Sequence, residues 1–220
     1  MEKENNLIDS IEPVNIQRTE RILNQMRNYI CKIKFKGRFE TGFFCKIPFR
    51  KETIKVLMTN HHFLNEKDFK DIKNLNLSLN DDKKKLTIDL ELDRETYFNK
   101  EYDVTLIKLR NEDNIKDYLE LDDNLIQDNS EINYKDTSIY ILNYSNGDTA
   151  AVSYGILNNI DKYNIKHKCR IDIGSSGCPI LNLKNNKVIG IHNKSSNGIL
   201  LKFPLNDYIN KKEKKFIIYK

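Results

Sequence analysis

The sequence predicts an all-β protein, with two six-stranded antiparallel β-barrels joined by a polar connection and a short helix at the carboxyl end. Three observations predict it. Short apolar runs, several of them alternating with period two as half-buried strands do, recur in two groups of six. Residues 113–136, rich in Asp, Asn and Glu, separate the groups and carry few strand signals. A chain of 220 residues is also long enough for two packed cores, of about a hundred residues each.

Taken in order, the residues up to Glu12 are polar and of mixed charge and are expected to form a disordered tail. Pro13 to Asn28 carries Ile16, Ile22, Leu23 and Met26 at spacings that fit a short amphipathic helix, so residues 1–28 read as tail and helix. Strand-like runs follow at 29–35, 40–47, 54–59, 75–79, 85–92 and 103–109. In the first, Cys31, Ile33 and Phe35 alternate with Ile30, Lys32 and Lys34, and Leu86, Ile88, Leu90 and Leu92 repeat the pattern. These six make a first barrel over residues 29–112. After the 113–136 connection, runs at 138–143, 150–158, 163–173, 179–183, 188–192 and 198–203 make a second barrel within residues 137–220. Pro204 then opens the terminal helix, at a position where its missing amide costs nothing.

Composition narrows the function. Charged residues are abundant but mixed in sign, with a net charge of +5. The Lys211-Lys212-Glu213-Lys214-Lys215 run reads as a solvated face, and no basic motif interleaved with aromatics suggests nucleic acid. No apolar stretch is long enough to span a bilayer, and Met1–Ser10 lacks the apolar segment of a secretory signal. A soluble, cytoplasmic protein without membrane contact is expected. Cys31, Cys45, Cys169 and Cys178 lack the spacing of a disulfide framework or a metal site and are read as buried thiols. No metal and no cofactor are expected.

The chemistry is organised around Asp172-Ile173-Gly174-Ser175-Ser176-Gly177-Cys178-Pro179-Ile180-Leu181. Serines between glycines, followed by proline and an apolar run, read as a tight turn that lifts a hydroxyl out of the backbone before a buried strand. The amides of Gly174 and Ser176 can converge on one point, as a backbone oxyanion hole requires. A serine hydroxyl needs a base, and the base needs an orienting group. Adjacent His61 and His62 end the apolar run that starts at Ile54, and on physical grounds either could serve as the base. Asp103 opens the run Val104-Thr105-Leu106-Ile107-Lys108-Leu109. Of the aspartates that could orient an imidazole, Asp93, Asp122 and Asp136 do not precede an uninterrupted apolar strand, and Asp103 does.

With these residues in hand, the chain resembles the chymotrypsin-like (trypsin-fold) serine peptidases over roughly residues 29–205. Thr59-Asn60-His61-His62 resembles the Thr-x-x-His signature, Asp103-Val104-Thr105-Leu106-Ile107 the aspartate strand, and Gly174-Ser175-Ser176-Gly177-Cys178-Pro179 the Gly-x-Ser-Gly-Gly-Pro turn. Thr41-Gly42-Phe43-Phe44 is similar to the Gly-Ser/Thr-Gly-Phe strand before the histidine, and Val188-Ile189-Gly190-Ile191-His192 to the strand after the serine. The resemblance implies Greek-key barrels with the site in the cleft between them. It also implies His62 as base with His61 a bystander, Asp103 as orienting carboxylate, Ser176 as nucleophile, and Gly174 and Ser176 as oxyanion donors. Cys178 departs from the family's more frequent glycine. Arg21-Ile22-Leu23-Asn24 is too weak an echo of an activation sequence to imply a zymogen.

Gly190-Ile191-His192 further resembles the Gly-x-His element of glutamyl endopeptidases, within the bacterial trypsin-like branch, and of picornavirus-type cysteine proteases. That likeness implies His192 as a pocket residue for Glu or Gln, with Arg170 near the pocket floor adding a preference for an acidic group. Ile171 stands where the picornavirus-type pocket has threonine. The implied activity is a serine endopeptidase cleaving protein or peptide substrates after Glu, with Gln second. The competing reading is a catalytically silent or gated trypsin-fold domain that binds peptides, with residues 1–28 or an unidentified regulatory partner as the gate.

Overall fold

The computed structural model describes residues 12–91, 93–125, 134–172 and 174–218. The expected tail up to residue 11, Leu92, part of the connection (126–133) and Ile173 lie outside the described residues. Helix α1 (Ile16–Tyr29) begins where Asn15 Oδ1 accepts a hydrogen bond from the Arg18 amide at 2.9 Å, which satisfies one of the amides a helix start leaves without a partner. Its inward face buries Ile22, Met26 and Gln25. Gln25 Nε2 donates to the Asn186 carbonyl at 2.9 Å, and Gln25 Oε1 accepts from the Tyr140 hydroxyl at 2.6 Å. The helix is thereby tied to the second half of the chain, and Arg21–Asn24 lies in mid-helix.

The first half forms β1 (Ile30–Phe35), β2 (Arg38–Phe49), β3 (Glu52–Thr59), β4 (Asn74–Leu79), β5 (Lys84–Asp89), β6 (Thr96–Asn99), β7 (Val104–Lys108) and β8 (Leu119–Glu120). They build an eight-stranded sheet in the order β5-β4-β1-β2-β3-β7-β6, with β8 parallel on β2. The two strands beyond the expected six are β6 and β8, of four and two residues, too short for an alternation to register. Helix α2 (Glu66–Asp71) is held by a reciprocal cap between Asn65 and Asp68.

The second half is a closed antiparallel barrel of six strands, in the order β10-β11-β14-β13-β12-β9. Its strands are β9 (Ser138–Ser145), β10 (Thr149–Asp161), β11 (Asn164–His167), β12 (Pro179–Asn182), β13 (Val188–Lys194) and β14 (Asn197–Leu200). The expected strand at 163–173 stops at His167. The Lys168 amide still donates to the Ile156 carbonyl of β10, and the Cys169 amide then turns to the ring of His167. Helix α3 (Lys202–Ile218) starts two residues before Pro204 and runs for 17 residues. Pro204 still falls in the first turn, where amides lack intrahelical partners. Among the described residues no helix is long and apolar enough to cross a membrane.

The two faces of the first sheet are both buried at β2 and β3. Phe43, Cys45, Val56 and Met58 join a core shared with the barrel, whereas Phe44 and Leu57 point into a separate core with Ile33, Phe63 and Leu77. Period-two alternation on β2 and β3 therefore serves two cores rather than core and water. One ion pair is sealed inside the first half. Arg94 and Asp113, with side chains 1% and 3% exposed, meet at 2.8 and 3.1 Å, and Asp113 also accepts the Arg110 amide at 2.7 Å. Asp113→Ala would leave a buried guanidinium without its counter-charge and is expected to cost about 3–5 kcal/mol. The check is a urea unfolding midpoint that falls with little change in slope.

Candidate active site

The turn from Gly174 to Gly177 is clamped between the two halves of the fold. On one side the Thr41 amide of β2 donates to the Ser176 carbonyl at 3.0 Å, and on the other the Gly177 amide donates to the His192 carbonyl of β13 at 2.9 Å. Thr59, fully buried at the end of β3, donates its hydroxyl to the Thr41 carbonyl at 3.1 Å. The contact is so close that only glycine fits at 177: its φ is +81°, and a Cβ there would stand 2.1 Å from the Thr41 carbonyl oxygen. Gly174, at φ +89°, approaches Gly147 of the β9–β10 hairpin in the same way. Between them Ser175 is buried and donates to Asn143 Oδ1 at 3.0 Å. Among the described residues the amides of Gly174 and Ser176 donate to no protein acceptor.

Chain reversal after β3 presents the histidines in opposite directions. His61 Nε2 lies 2.9 Å from Glu66 of α2. His62 turns to Asp103, with Nδ1 at 2.8 and 3.0 Å from the two carboxylate oxygens, while its own amide donates to Asp103 Oδ1 at 2.9 Å. Asp103 closes the turn before β7 with φ +50°, a left-handed conformation that aspartate tolerates. Asn60 Nδ2, at 2.9 Å from the Asp103 carbonyl, holds the turn. The rival aspartates face elsewhere: Asp93 pairs with Arg110, Asp122 accepts from Asn182 and Asn185, and the Asp136 amide donates to Leu157.

A carboxylate that sequence reasoning did not single out completes the surroundings of the imidazole. Glu40 Oε1 lies 3.2 Å from His62 Nε2. Its only signal in the sequence is an acidic residue immediately before Thr41-Gly42 and the apolar Phe43-Phe44-Cys45. With Asp103 on one nitrogen and Glu40 on the other, His62 is pushed up to about 10, the Asp103 hydrogen bond being the larger cause. In this resting arrangement the ring is an imidazolium. Ser176 is correspondingly turned away, its Oγ donating to the Asn193 carbonyl at 2.7 Å. The fold thus brings His62 and Asp103 into contact at the same seam as Ser176, without a hydrogen bond between Ser176 and His62.

The side chains of the other two expected site residues make no hydrogen bond to His62, Asp103 or Ser176 among the described residues. His192 is 2% exposed and its Nδ1 meets Nε2 of His167, itself 3% exposed, at 3.2 Å. The Cys169 amide donates to His167 Nδ1 at 3.3 Å. That bond makes His167 Nδ1 an acceptor, so its proton sits on Nε2 and points at His192 Nδ1, and His192 carries its own proton on Nε2. Burial pushes His167 down to about 4 and His192 down to about 3, so both rings are neutral. Arg170 is exposed, and no ion pair or hydrogen bond joins it to His192. Ile171 packs on the shared core. The four cysteines are free and buried, and burial pushes the Cys178 thiol well up, so it offers no thiolate beside the turn.

No helix α1 residue hydrogen bonds to His62, Asp103 or Ser176 among the described residues; its polar contacts run to Tyr140 and Asn186 instead. The sequence matches no curated protein. In fold, the chain is similar to the crystal structure of Deg5, with TM-score 0.63 and 14% identity over 86% of this chain and 91% of that one. It is also similar to the inactive form of the Rv3671c protease, with TM-score 0.57 and 15% identity over 86% of this chain and 91% of that one. A serine endoprotease from Yersinia pestis shares the fold with TM-score 0.60 and 11% identity, covering 91% of this chain and 67% of that one. The family model described as the trypsin-like peptidase domain matches residues 41–191, most of the chain and a span that includes His62, Asp103 and Ser176, and the chain belongs to that family.

Proposed function

We propose that the protein is a serine endopeptidase in which Ser176 attacks the peptide carbonyl, His62 carries the proton and Asp103 orients and stabilises the imidazolium. The observation that carries this reading is the Asp103–His62 pair, with both carboxylate oxygens on Nδ1, at the seam that also clamps Ser176. Once His62 is neutral at Nε2 and Ser176 Oγ has rotated off the Asn193 carbonyl, the hydroxyl proton passes to Nε2 as the Oγ–carbon bond forms. The charge that develops on the carbonyl oxygen is received by the Gly174 and Ser176 amides. His62 then protonates the leaving nitrogen as the carbon–nitrogen bond breaks, and water repeats the sequence on the acyl-enzyme.

We propose Glu, with Gln second, before the scissile bond: the neutral His192 ring can donate Nε2–H to either side-chain oxygen alike, and the ranking of Glu over Gln rests on long-range attraction to Arg170. Internally quenched peptides varied only at that residue test the activity and the pocket. Cleavage after Glu and Gln, lost in Ser176→Ala, is the expected result, and His192→Ala should lower that preference about 10–200-fold, the worth of one hydrogen bond to the substrate. Cutting that ignores this residue would remove the pocket and leave the peptidase.

A second reading, a gated or silent binding domain, is favoured by the resting contacts of Glu40 with His62 and of Ser176 with Asn193. Labelling of Ser176 by a fluorophosphonate separates the two: a labelled serine is competent, and an unlabelled one in folded protein points to the binding domain.

A further inference from the structure

In acyl transfer the base nitrogen serves the serine hydroxyl first and the leaving nitrogen second, so a group lying against His62 Nε2 borders the place to which the leaving nitrogen comes. That place is held by Glu40. Its backbone is fixed relative to the nucleophile, since the next residue, Thr41, donates to the Ser176 carbonyl. The side chain is only 13% exposed; Oε1 is on His62 Nε2, and Oε2 is buried with no hydrogen-bond partner. Among the described residues no lysine or arginine pairs with it, and His62 is its one cationic partner.

Turnover disturbs this pair. To act as a base His62 must give up its Nε2 proton to solvent, and Glu40 is then a nearly buried carboxylate with no counter-charge, an unfavourable state unless another cation arrives. A substrate can supply one. The residue just after the scissile bond is attached to the leaving nitrogen, and a long flexible side chain on it can reach both Glu40 oxygens, including the unused Oε2.

We propose that Glu40 sets specificity on the leaving-group side: its carboxylate, held by His62 in the resting molecule, passes to a lysine or arginine side chain of the substrate residue just after the scissile bond, and this exchange frees His62 to take the Ser176 proton. The inference rests on the serine-endopeptidase reading and adds the chemistry of the residue that follows the cut. A neutral residue there leaves Glu40 on the imidazole, and an acidic one adds repulsion.

The test is a peptide set identical except for the residue after the scissile bond, Lys, Arg, Ala or Glu, cut by wild type and by Glu40→Gln. Wild type is expected to favour Lys and Arg over Ala by about tenfold or more in kcat/KM, with Glu slowest, as for a buried charge-assisted hydrogen bond. In Glu40→Gln the ratio should shrink to within about twofold, and Ser176 should label faster with a fluorophosphonate because the imidazole is no longer capped. Glu40→Lys should favour Glu at that place. A wild-type rate indifferent to this residue overturns the proposal without any variant being needed, and so does a preference that survives in Glu40→Gln. If Ser176 labels and peptides are cut without the Lys and Arg preference, the role of Glu40 falls and the peptidase stands. If folded wild type neither labels nor cuts any peptide, both fall.

Discussion

Ser176→Ala and Asp103→Asn, measured side by side, are expected to lower kcat/KM by about 10⁶-fold and 10⁴-fold while leaving the fold intact. The alanine removes the only atom that can form the acyl-enzyme; Ser176 Oγ makes a single hydrogen bond, to the Asn193 carbonyl, so little packing is lost with it. The asparagine acts through the tautomer. Asp103 accepts from the His62 amide through Oδ1 and from Nδ1 through both oxygens. With an amide in its place, the His62 amide still needs an acceptor, which leaves the Asn Nδ2 group facing Nδ1. A donor there forces the ring proton onto Nε2, and Nε2 can then no longer take the serine proton. The backbone should hold, because φ at this position is +50° and asparagine tolerates that region as well as aspartate does. The check is steady-state kinetics on a cleaved peptide, with thermal unfolding confirming that both variants are folded. A variant folded like wild type and retaining more than about a hundredth of its rate would remove that residue from the chemistry.

How far the sequence can be read depends on whether a feature is local. The half-buried strands and the Gly174–Gly177 turn each announce themselves in a few consecutive residues, because alternation and glycine conformation are properties of neighbours. Strands β6 and β8 were missed because four and two residues give no period, and because β8 exists only by lying parallel on β2. Residues 163–173 read as one strand, yet β11 ends at His167, two residues before the Cys169 amide turns to the His167 ring. The same division runs through the site. His62 could be separated from His61 only by likeness to a motif, while in three dimensions the distinction is physical, one ring on Asp103 and the other on Glu66. Glu40 lies 22 residues from His62, and His167 lies 25 residues from His192. Both contacts come from strands brought together by the sheets, and nothing in either local stretch reports them. Arg170 shows the reverse limit, since a basic residue near the turn has the right charge for an acidic group but is exposed and unattached to His192.

Gly177→Ala should be the most damaging single methyl in the protein. A Cβ at this position would sit 2.1 Å from the Thr41 carbonyl oxygen and 2.9 Å from Thr59 Oγ1, and the first of these is backbone in the middle of β2, which cannot rotate aside as a side chain would. Relief requires the turn to back away from β2, and the bond it would lengthen is the Thr41 amide to the Ser176 carbonyl, the one that holds Ser176 against β2. Alanine is also disfavoured at φ +81°. Overpacking and the left-handed backbone together are expected to cost about 2–5 kcal/mol, and kcat/KM is expected to fall at least about a hundredfold even where the protein remains folded, since a displacement near 1 Å at a reacting atom is enough for that. Gly37 is the control: its φ is +76°, but a Cβ there meets nothing within 4 Å. Gly37→Ala should therefore show the backbone cost alone, about 1–2 kcal/mol, and leave kcat/KM unchanged. If the two alanines are equally mild, the clamp of the nucleophile turn against β2 is looser than the geometry requires, and Ser176 is positioned from the barrel side by β13 alone.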